Sequence, residues 1–146
     1  MADTPASPQA LWTKELELGL PLIDGQHRKL VGHLQDLERA VDLGRPMSEV
    51  AQCIEFLREY TEEHFHTEER FLAEKRYPEL DRHRTQHEAF KANVAKAAQA
   101  VQTRLAAEQS VALIRSMVVH WYIDHIRGTD MGYVTYLRDN GLLKKR

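Results

Sequence analysis

Along most of the chain, apolar residues recur every three or four positions and polar or charged residues fill the gaps. That period belongs to helices with one face against a core and the other in water. No useful stretch shows the period of two that a half-buried strand requires, and no internal repeat is present. Gly44-Arg45-Pro46, Tyr77-Pro78 and Gly128 interrupt the pattern. Between them the spacing predicts helices over 23–43, 48–73, 79–105 and 108–127, with Ser48 capping the second and a shorter helix over 130–139. Helices of about 20 residues joined by short links pack as antiparallel neighbours. The expected fold is therefore all-α, an up-down antiparallel four-helix bundle with an N-terminal arm and a short C-terminal helix. Trp12, Leu16, Leu18 and Leu20 are expected to lay the arm across the bundle. Residues 1–10 read as a flexible tail and 11–146 as one domain.

The inward stripes carry residues that a core does not ordinarily hold. Residues four apart on a helix differ by only about 40° in direction. In Tyr60-Thr61-Glu62-Glu63-His64-Phe65-His66-Thr67-Glu68-Glu69-Arg70, His64 and Glu68 share the stripe of Val50, Cys53, Leu57, Tyr60 and Phe71. Glu55, Glu59, Glu62, His66 and Glu69 fall on the opposite, solvated side. On the third helix His83 and His87 align with Phe90, Val94, Ala97 and Val101. On the first, His27 heads the stripe of Leu30, Val31, Leu34 and Val41. On the fourth, His125 sits with Ile114, Val118, Trp121 and Tyr122. His33 and His120 turn away from these stripes, and Cys53 reads as a small buried hydrophobe. A single histidine on an apolar face is ordinarily a core residue with a hydrogen-bond partner. Five of them beside an inward glutamate would each carry about 1–3 kcal/mol of desolvation if left unpaired, so the pattern points to metal.

Composition narrows the partners. The chain has 146 residues, 20 basic and 22 acidic, for a formal net charge of −2. That balance supports neither nucleic-acid binding nor, with no long apolar run, membrane insertion. The start MADTPASPQA lacks the basic and apolar regions of a signal peptide. The single cysteine excludes an internal disulfide and fits a reducing compartment, so a cytoplasmic location is expected. The charged outward faces suggest a monomer.

Imidazole with carboxylate suits iron, zinc or manganese, and there is no thiolate cluster for structural zinc. Five imidazoles exceed the needs of one open site but suit two ions bridged by carboxylates. A ferritin-like arrangement needs a Glu-x-x-His motif on each of two helices. Here it occurs once, Glu63 to His66, with His66 facing out.

The chain resembles the hemerythrin family in its bacterial single-domain form, from about Trp12 to Tyr133. The resemblance rests on Trp12, Ile23-Asp24-Gly25-Gln26-His27, His64-Phe65-His66-Thr67-Glu68-Glu69 and Tyr77-Pro78. It continues through His83-Arg84-Thr85-Gln86-His87 and Trp121-Tyr122-Ile123-Asp124-His125-Ile126-Arg127-Gly128-Thr129-Asp130. It implies a non-haem di-iron centre with an oxo or hydroxo bridge. His83, His87 and His125 would bind one iron, His27 and His64 the other, and Glu68 and Asp130 would bridge them. One iron would keep an open position for a small ligand, in a pocket lined by Leu30, Phe65, Trp121, Tyr122 and Ile126. His125 and Asp130 are five apart, about 140° on an ideal helix, so a π-bulge or break is expected near Gly128. Tyr122 departs from the leucine common at its position. Its phenol would either enter the pocket or reach the bundle surface.

The resemblance implies reversible dioxygen binding for carriage, storage or delivery, with small anions or nitric oxide as further ligands. The same centre could serve an enzyme that acts on peroxide or removes nitric oxide or oxygen. It could also serve an oxygen- or redox-sensing domain.

Overall fold

A computed structural model describes residues 12–102 and 112–143. The expected tail 1–10, the end of the third predicted helix and the start of the fourth lie outside the described residues. Four long helices make up most of the described residues. α1 is Pro21–Asp42, α2 is Met47–Glu74 and α3 is Leu80–Gln102. α4 runs over 112–139 as one continuous helix with two wide-turn segments, Arg115–His120 and Asp130's own segment His125–Asp130. Among the described residues there is no strand. α1 packs on α2 and α2 on α3, while α4 packs on both α3 and α1, so the four close into a bundle. The short links at 43–46 and 75–79 make consecutive helices antiparallel.

The helices begin and end for local reasons. α1 opens with Pro21, whose fixed φ suits a first helical turn. α2 opens at Met47 after Pro46, so Ser48 lies inside the first turn and is not the cap expected of it; no side-chain bond caps this end. α2 closes with Arg76 at φ 56°, a left-handed position that glycine usually takes. The Tyr77 N–H bonds back to the Leu72 carbonyl at 3.0 Å to complete that turn. The Tyr136 hydroxyl, on the last turns of α4, reaches the carbonyls of Lys75 and Arg76 at 3.2 and 3.1 Å and pins it.

The arm crosses the bundle as expected. Leu16 is fully buried in one apolar cluster with Trp12 against it, and Leu18 is buried in a second with Leu20 packed beside it. Its anchor is Asp24, whose carboxylate accepts the N–H groups of Leu18, Gly19 and Leu20 at 2.8, 3.0 and 3.2 Å. Hydrogen bonds to a charged acceptor are worth about 1.5–3 kcal/mol each when formed singly. Asp24→Ala is therefore expected to lower stability by about 2–3 kcal/mol in urea unfolding. A change under about 0.5 kcal/mol would show that the arm is held by its leucines alone.

The two apolar clusters lie at different levels of the bundle. One contains Leu30, Leu34, Leu57, Phe65, Phe90, Val94 and Tyr122, among others. The other contains Ile23, Leu72, Tyr133, Val134 and Leu137. On every helix the residues between the two levels are polar yet buried: His27 on α1, His64 and Glu68 on α2, His83 and His87 on α3, His125 and Asp130 on α4.

Two features of α4 correct the expectation. The predicted short helix over 130–139 is not separate, because Met131–Asp139 continues α4 without a break. The wide turn expected near Gly128 is present as the π-helical segment His125–Asp130. A second such segment, Arg115–His120, was not anticipated. Inside it the Met117 carbonyl accepts the Asn93 side-chain amide from α3 at 2.9 Å. An inserted side chain of this kind is one recognised cause of a local departure from the α-helical ladder.

Candidate metal centre

Seven side chains from four helices converge in the polar layer, and every one of them is buried: His27, His64, Glu68, His83, His87, His125 and Asp130. The carboxylates stand between two sets of imidazoles. Glu68 Oε1 is 2.8 Å from His83 Nε2 and 3.1 Å from His87 Nε2. Its other oxygen, Oε2, is 3.4 Å from His27 Nε2 and 3.6 Å from His64 Nε2. Asp130 does the same: Oδ1 is 3.1 Å from His83 Nε2 and 3.0 Å from His125 Nε2, while Oδ2 is 3.1 Å from His27 Nε2. Each carboxylate thus turns one oxygen to two of the three histidines His83, His87 and His125 and the other to His27, which in the case of Glu68 is joined by His64.

Two groups of donor atoms result, with all members of each within 4.8 Å of one another: Glu68, His83, His87, His125 and Asp130, and His27, His64 and Glu68. Asp130 joins the second group only through its approach to His27. These close pairs are mostly not hydrogen bonds. Nε2 of His27, His64, His87 and His125 and both oxygens of Asp130 are buried without a hydrogen-bond partner. Left so, each group would cost about 1–3 kcal/mol. Donor atoms about 2.1 Å from one ion at right angles lie about 3.0 Å apart. The observed spacings match that geometry, so the residues fit a cation held between them.

Outer contacts aim the rings. His64 Nδ1 pairs with Gln26 Oε1 at 2.8 Å and His125 Nδ1 with Gln86 Oε1 at 3.0 Å. His87 Nδ1 donates to Glu69 Oε2 at 2.7 Å, and Arg84 Nε donates to Glu69 Oε1 at 3.2 Å. Holding Nδ1 as the donor leaves the Nε2 lone pair free to face a metal. Thr129 donates to Gln86 at 2.6 Å, and the Tyr133 hydroxyl donates to Glu68 Oε2 at 3.0 Å. The sequence assigns a role to none of these six supports, Gln26, Gln86, Glu69, Arg84, Thr129 and Tyr133. Glu69 had been assigned to the solvated face; it is in fact drawn half under by His87 and Arg84. A signal for two of them was legible. Glutamine precedes a site histidine twice, in Gln26-His27 and Gln86-His87, and each time it holds the histidine of the next helix.

The apolar residues assigned to a ligand pocket gather on one side of the layer. Leu30, Phe65, Tyr122 and Ile126 are buried and Trp121 is half-buried. Phe65 stacks on the His87 ring at 3.7 Å and Trp121 on the His125 ring at 5.0 Å. The Tyr122 hydroxyl does not reach the surface, which removes one of the two expectations for it: the side chain is fully buried and the oxygen has no partner. Burial, reinforced by the charges of Asp130 and Glu68, raises its pKa well above that of an ordinary phenol. His33 is half-buried beside the Tyr60 ring at 5.5 Å and His66 and His120 are exposed, so none of the three joins the centre.

Charge in the metal-free layer is balanced internally. Burial disfavours a charged His27, but Asp130 and Glu68 outweigh it and raise its pKa to about 9. The same opposition, with the same two carboxylates, brings His83 to about 9. Burial lowers His64 to about 4. Although burial pushes the other way, the imidazoles hold Glu68 and Asp130 well below the usual carboxylate range. At pH 7 the two carboxylates therefore face two imidazolium ions. A raised histidine pKa contributes stability that is complete below the unfolded value of 6.5 and is lost as pH rises through about 9. Metal-free protein is expected to lose stability between pH 7 and 10, a loss that urea midpoints would follow. Metal uptake at pH 7 is expected to expel the protons of His27 and His83. Calorimetric titration in buffers of different ionisation enthalpy would count them, and a count of zero would refute this charge balance.

The architecture and the buried imidazole–carboxylate layer define a helical-bundle metalloprotein. The model of the hemerythrin HHE cation binding domain matches residues 18–137. The chain belongs to the hemerythrin family. Bacteriohemerythrin of Stenotrophomonas maltophilia is 31% identical over 129 residues, covering 88% of this chain and 81% of its own. Bacteriohemerythrin of Clostridium acetobutylicum is 30% identical over 130 residues, covering 85% and 98%. Myohemerythrin of Theromyzon tessulatum is 25% identical over 122 residues, covering 84% and 88%. No helix among the described residues is long and apolar enough to cross a membrane.

Proposed function

We propose that the centre holds two iron ions and that the protein binds dioxygen reversibly, for carriage, storage or delivery. The observation that carries this is the division of oxygens: Glu68 and Asp130 each turn one oxygen to His83, with His87 or His125 beside it, and the other to His27. Two bridging carboxylates with three imidazoles on one side and two on the other leave the ions unequal. With a further oxo or hydroxo bridge, His83, His87 and His125 with the two carboxylates would give one ion six donors. His27 and His64 with the same carboxylates would give the other five, leaving one position for a small ligand. Iron held by these residues would supply the two electrons that reversible dioxygen binding requires.

The chain's own residues set the conditions for this. Gln26, Glu69 and Gln86 orient the rings, and Tyr133 holds Glu68. Leu30, Phe65, Trp121 and Ile126 line the pocket and keep water from it, which favours the exchangeable reduced state. A cytoplasmic location accompanies this reading, on the ground of the single cysteine, and so does a monomer, on the ground of the exposed charged face of Glu55, Arg58, Glu59 and Glu62 on α2.

The test is to load the protein with iron anaerobically, admit air, record the visible spectrum and then sweep with argon. A charge-transfer band that forms in air and fades under argon is expected. Direct passage to an oxidised spectrum would favour the second reading, an enzyme acting on peroxide or nitric oxide, which the unpartnered phenol of Tyr122 recommends. Preferential binding of zinc with no iron uptake would defeat both.

A further inference from the structure

Tyr122 lies on the inner face of α4, three residues before His125. Its ring packs edge-on to His27 at 6.3 Å and against His125 at 5.9 Å, so it borders both halves of the centre. Phe65 stacks beside it at 6.1 Å and Phe90 meets it edge-on at 5.1 Å, which fixes the ring in place. The hydroxyl at the end of this clamped ring is buried and has no partner among the described residues. Tyr133 supplies the contrast: equally buried, it spends its proton on Glu68 Oε2 at 3.0 Å.

None of the carboxylate oxygens of the centre accepts the Tyr122 hydroxyl. Glu68 Oε2 takes the Tyr133 proton, and the two oxygens of Asp130 face His27, His83 and His125. Phenylalanine would fill the same space without stranding a donor. A buried hydroxyl with no partner among the described residues of the protein itself calls for a partner that arrives from outside.

We propose that the Tyr122 hydroxyl is the hydrogen-bond donor of the ligand pocket, and that it biases the pocket toward small anions whose outer atom accepts a hydrogen bond. The inference rests on the di-iron reading and on an open position beside His27 and His64. A ligand held there by one end places its other end in the apolar pocket, where few donors compete and Tyr122 is anchored. Such a donor strengthens the hold on anionic ligands more than on neutral ones, because hydrogen bonds to charged acceptors are the stronger class.

The probe is azide. The oxidised, iron-loaded protein is titrated with it and the charge-transfer band is followed in wild type and in Tyr122→Phe, which removes only the oxygen. Azide is expected to bind roughly three- to tenfold more weakly to the variant. The azide-free, iron-loaded variant is expected to melt at the same temperature as wild type or higher, whereas a merely structural hydroxyl would make it melt lower. Tyr122→Leu repeats the comparison should the phenylalanine variant aggregate. Equal azide affinity in two proteins that both show the band would overturn the proposal and leave the di-iron reading standing. Iron uptake with no azide-dependent band in wild type would overturn both. An intense phenolate-to-iron band in azide-free wild type, absent from Tyr122→Phe, would put the oxygen on the metal and end the donor role.

Discussion

Glu68→Gln is expected to reduce bound metal from two ions per chain to one or none, while the exposed Glu59→Gln leaves it unchanged. Glu68 is the one residue shared by both donor groups, and its two oxygens face opposite sets of imidazoles. Glutamine keeps the shape but removes the charge and turns an N–H₂ group toward one of those sets. An amide nitrogen has no lone pair to offer a cation, so one side of the centre loses its carboxylate donor. The metal-free protein should suffer too. At pH 7 the layer holds two imidazolium ions against two carboxylates, and removing one carboxylate strands a buried positive charge. Breaking a buried pair in this way costs about 3–5 kcal/mol unless a proton is shed. Elemental analysis after anaerobic loading and desalting measures the first effect, and urea unfolding of metal-free protein the second. Full metal content in Glu68→Gln would remove the bridging role from the argument.

Inserting one alanine between Gly128 and Thr129 is expected to abolish metal binding and to destabilise the fold by more than about 4 kcal/mol. The π-helical turn already absorbs the five-residue step from His125 to Asp130. One more residue rotates everything after it by about 100°. Asp130 would leave the centre, and Tyr133, Val134 and Leu137 would leave the second apolar cluster. Deleting Gly128 should be far milder. It shortens the step to four, the spacing of a regular α-helical turn, and both side chains still point inward. Metal content near that of wild type and a stability change within about 1–2 kcal/mol are expected for the deletion. The opposite ranking of the two variants would show that the segment does not set the register.

Six residues of the candidate centre, the five histidines and Glu68, were legible because helical period is a strong signal and a buried histidine is a costly exception to it; Asp130 was legible only through the hemerythrin resemblance, because a lone aspartate near a helix end otherwise reads as surface. The same reasoning erred at the edges of the stripes. On α2 it selected Cys53, Tyr60 and Phe71, which are half-buried, whereas Ile54, Thr61, Phe65 and Leu72 lie deepest beside Val50 and Leu57. α2 packs against both α1 and α3, so its inner face is broader than one row of residues. Tyr60 sits at the α1 border, against His33 and with Lys29 Nζ 5.5 Å from its ring centroid. Glu69 was misread for a related reason: one residue beyond Glu68 it points away from the core of its own helix, but toward Arg84 and His87 of the next.

What the sequence determined by itself was the class of fold and the levels at which polar residues enter the core; the wide turn between His125 and Asp130 followed once the resemblance placed both at the centre. Each follows from the rotation per residue along a single helix. Only the tertiary structure decided which oxygen of Glu68 and Asp130 faces which histidine. It alone showed which glutamine or glutamate holds each ring, and that the Tyr122 hydroxyl ends inside the protein without a partner. Those outcomes depend on distances between atoms on different helices, and no periodicity within one helix contains them.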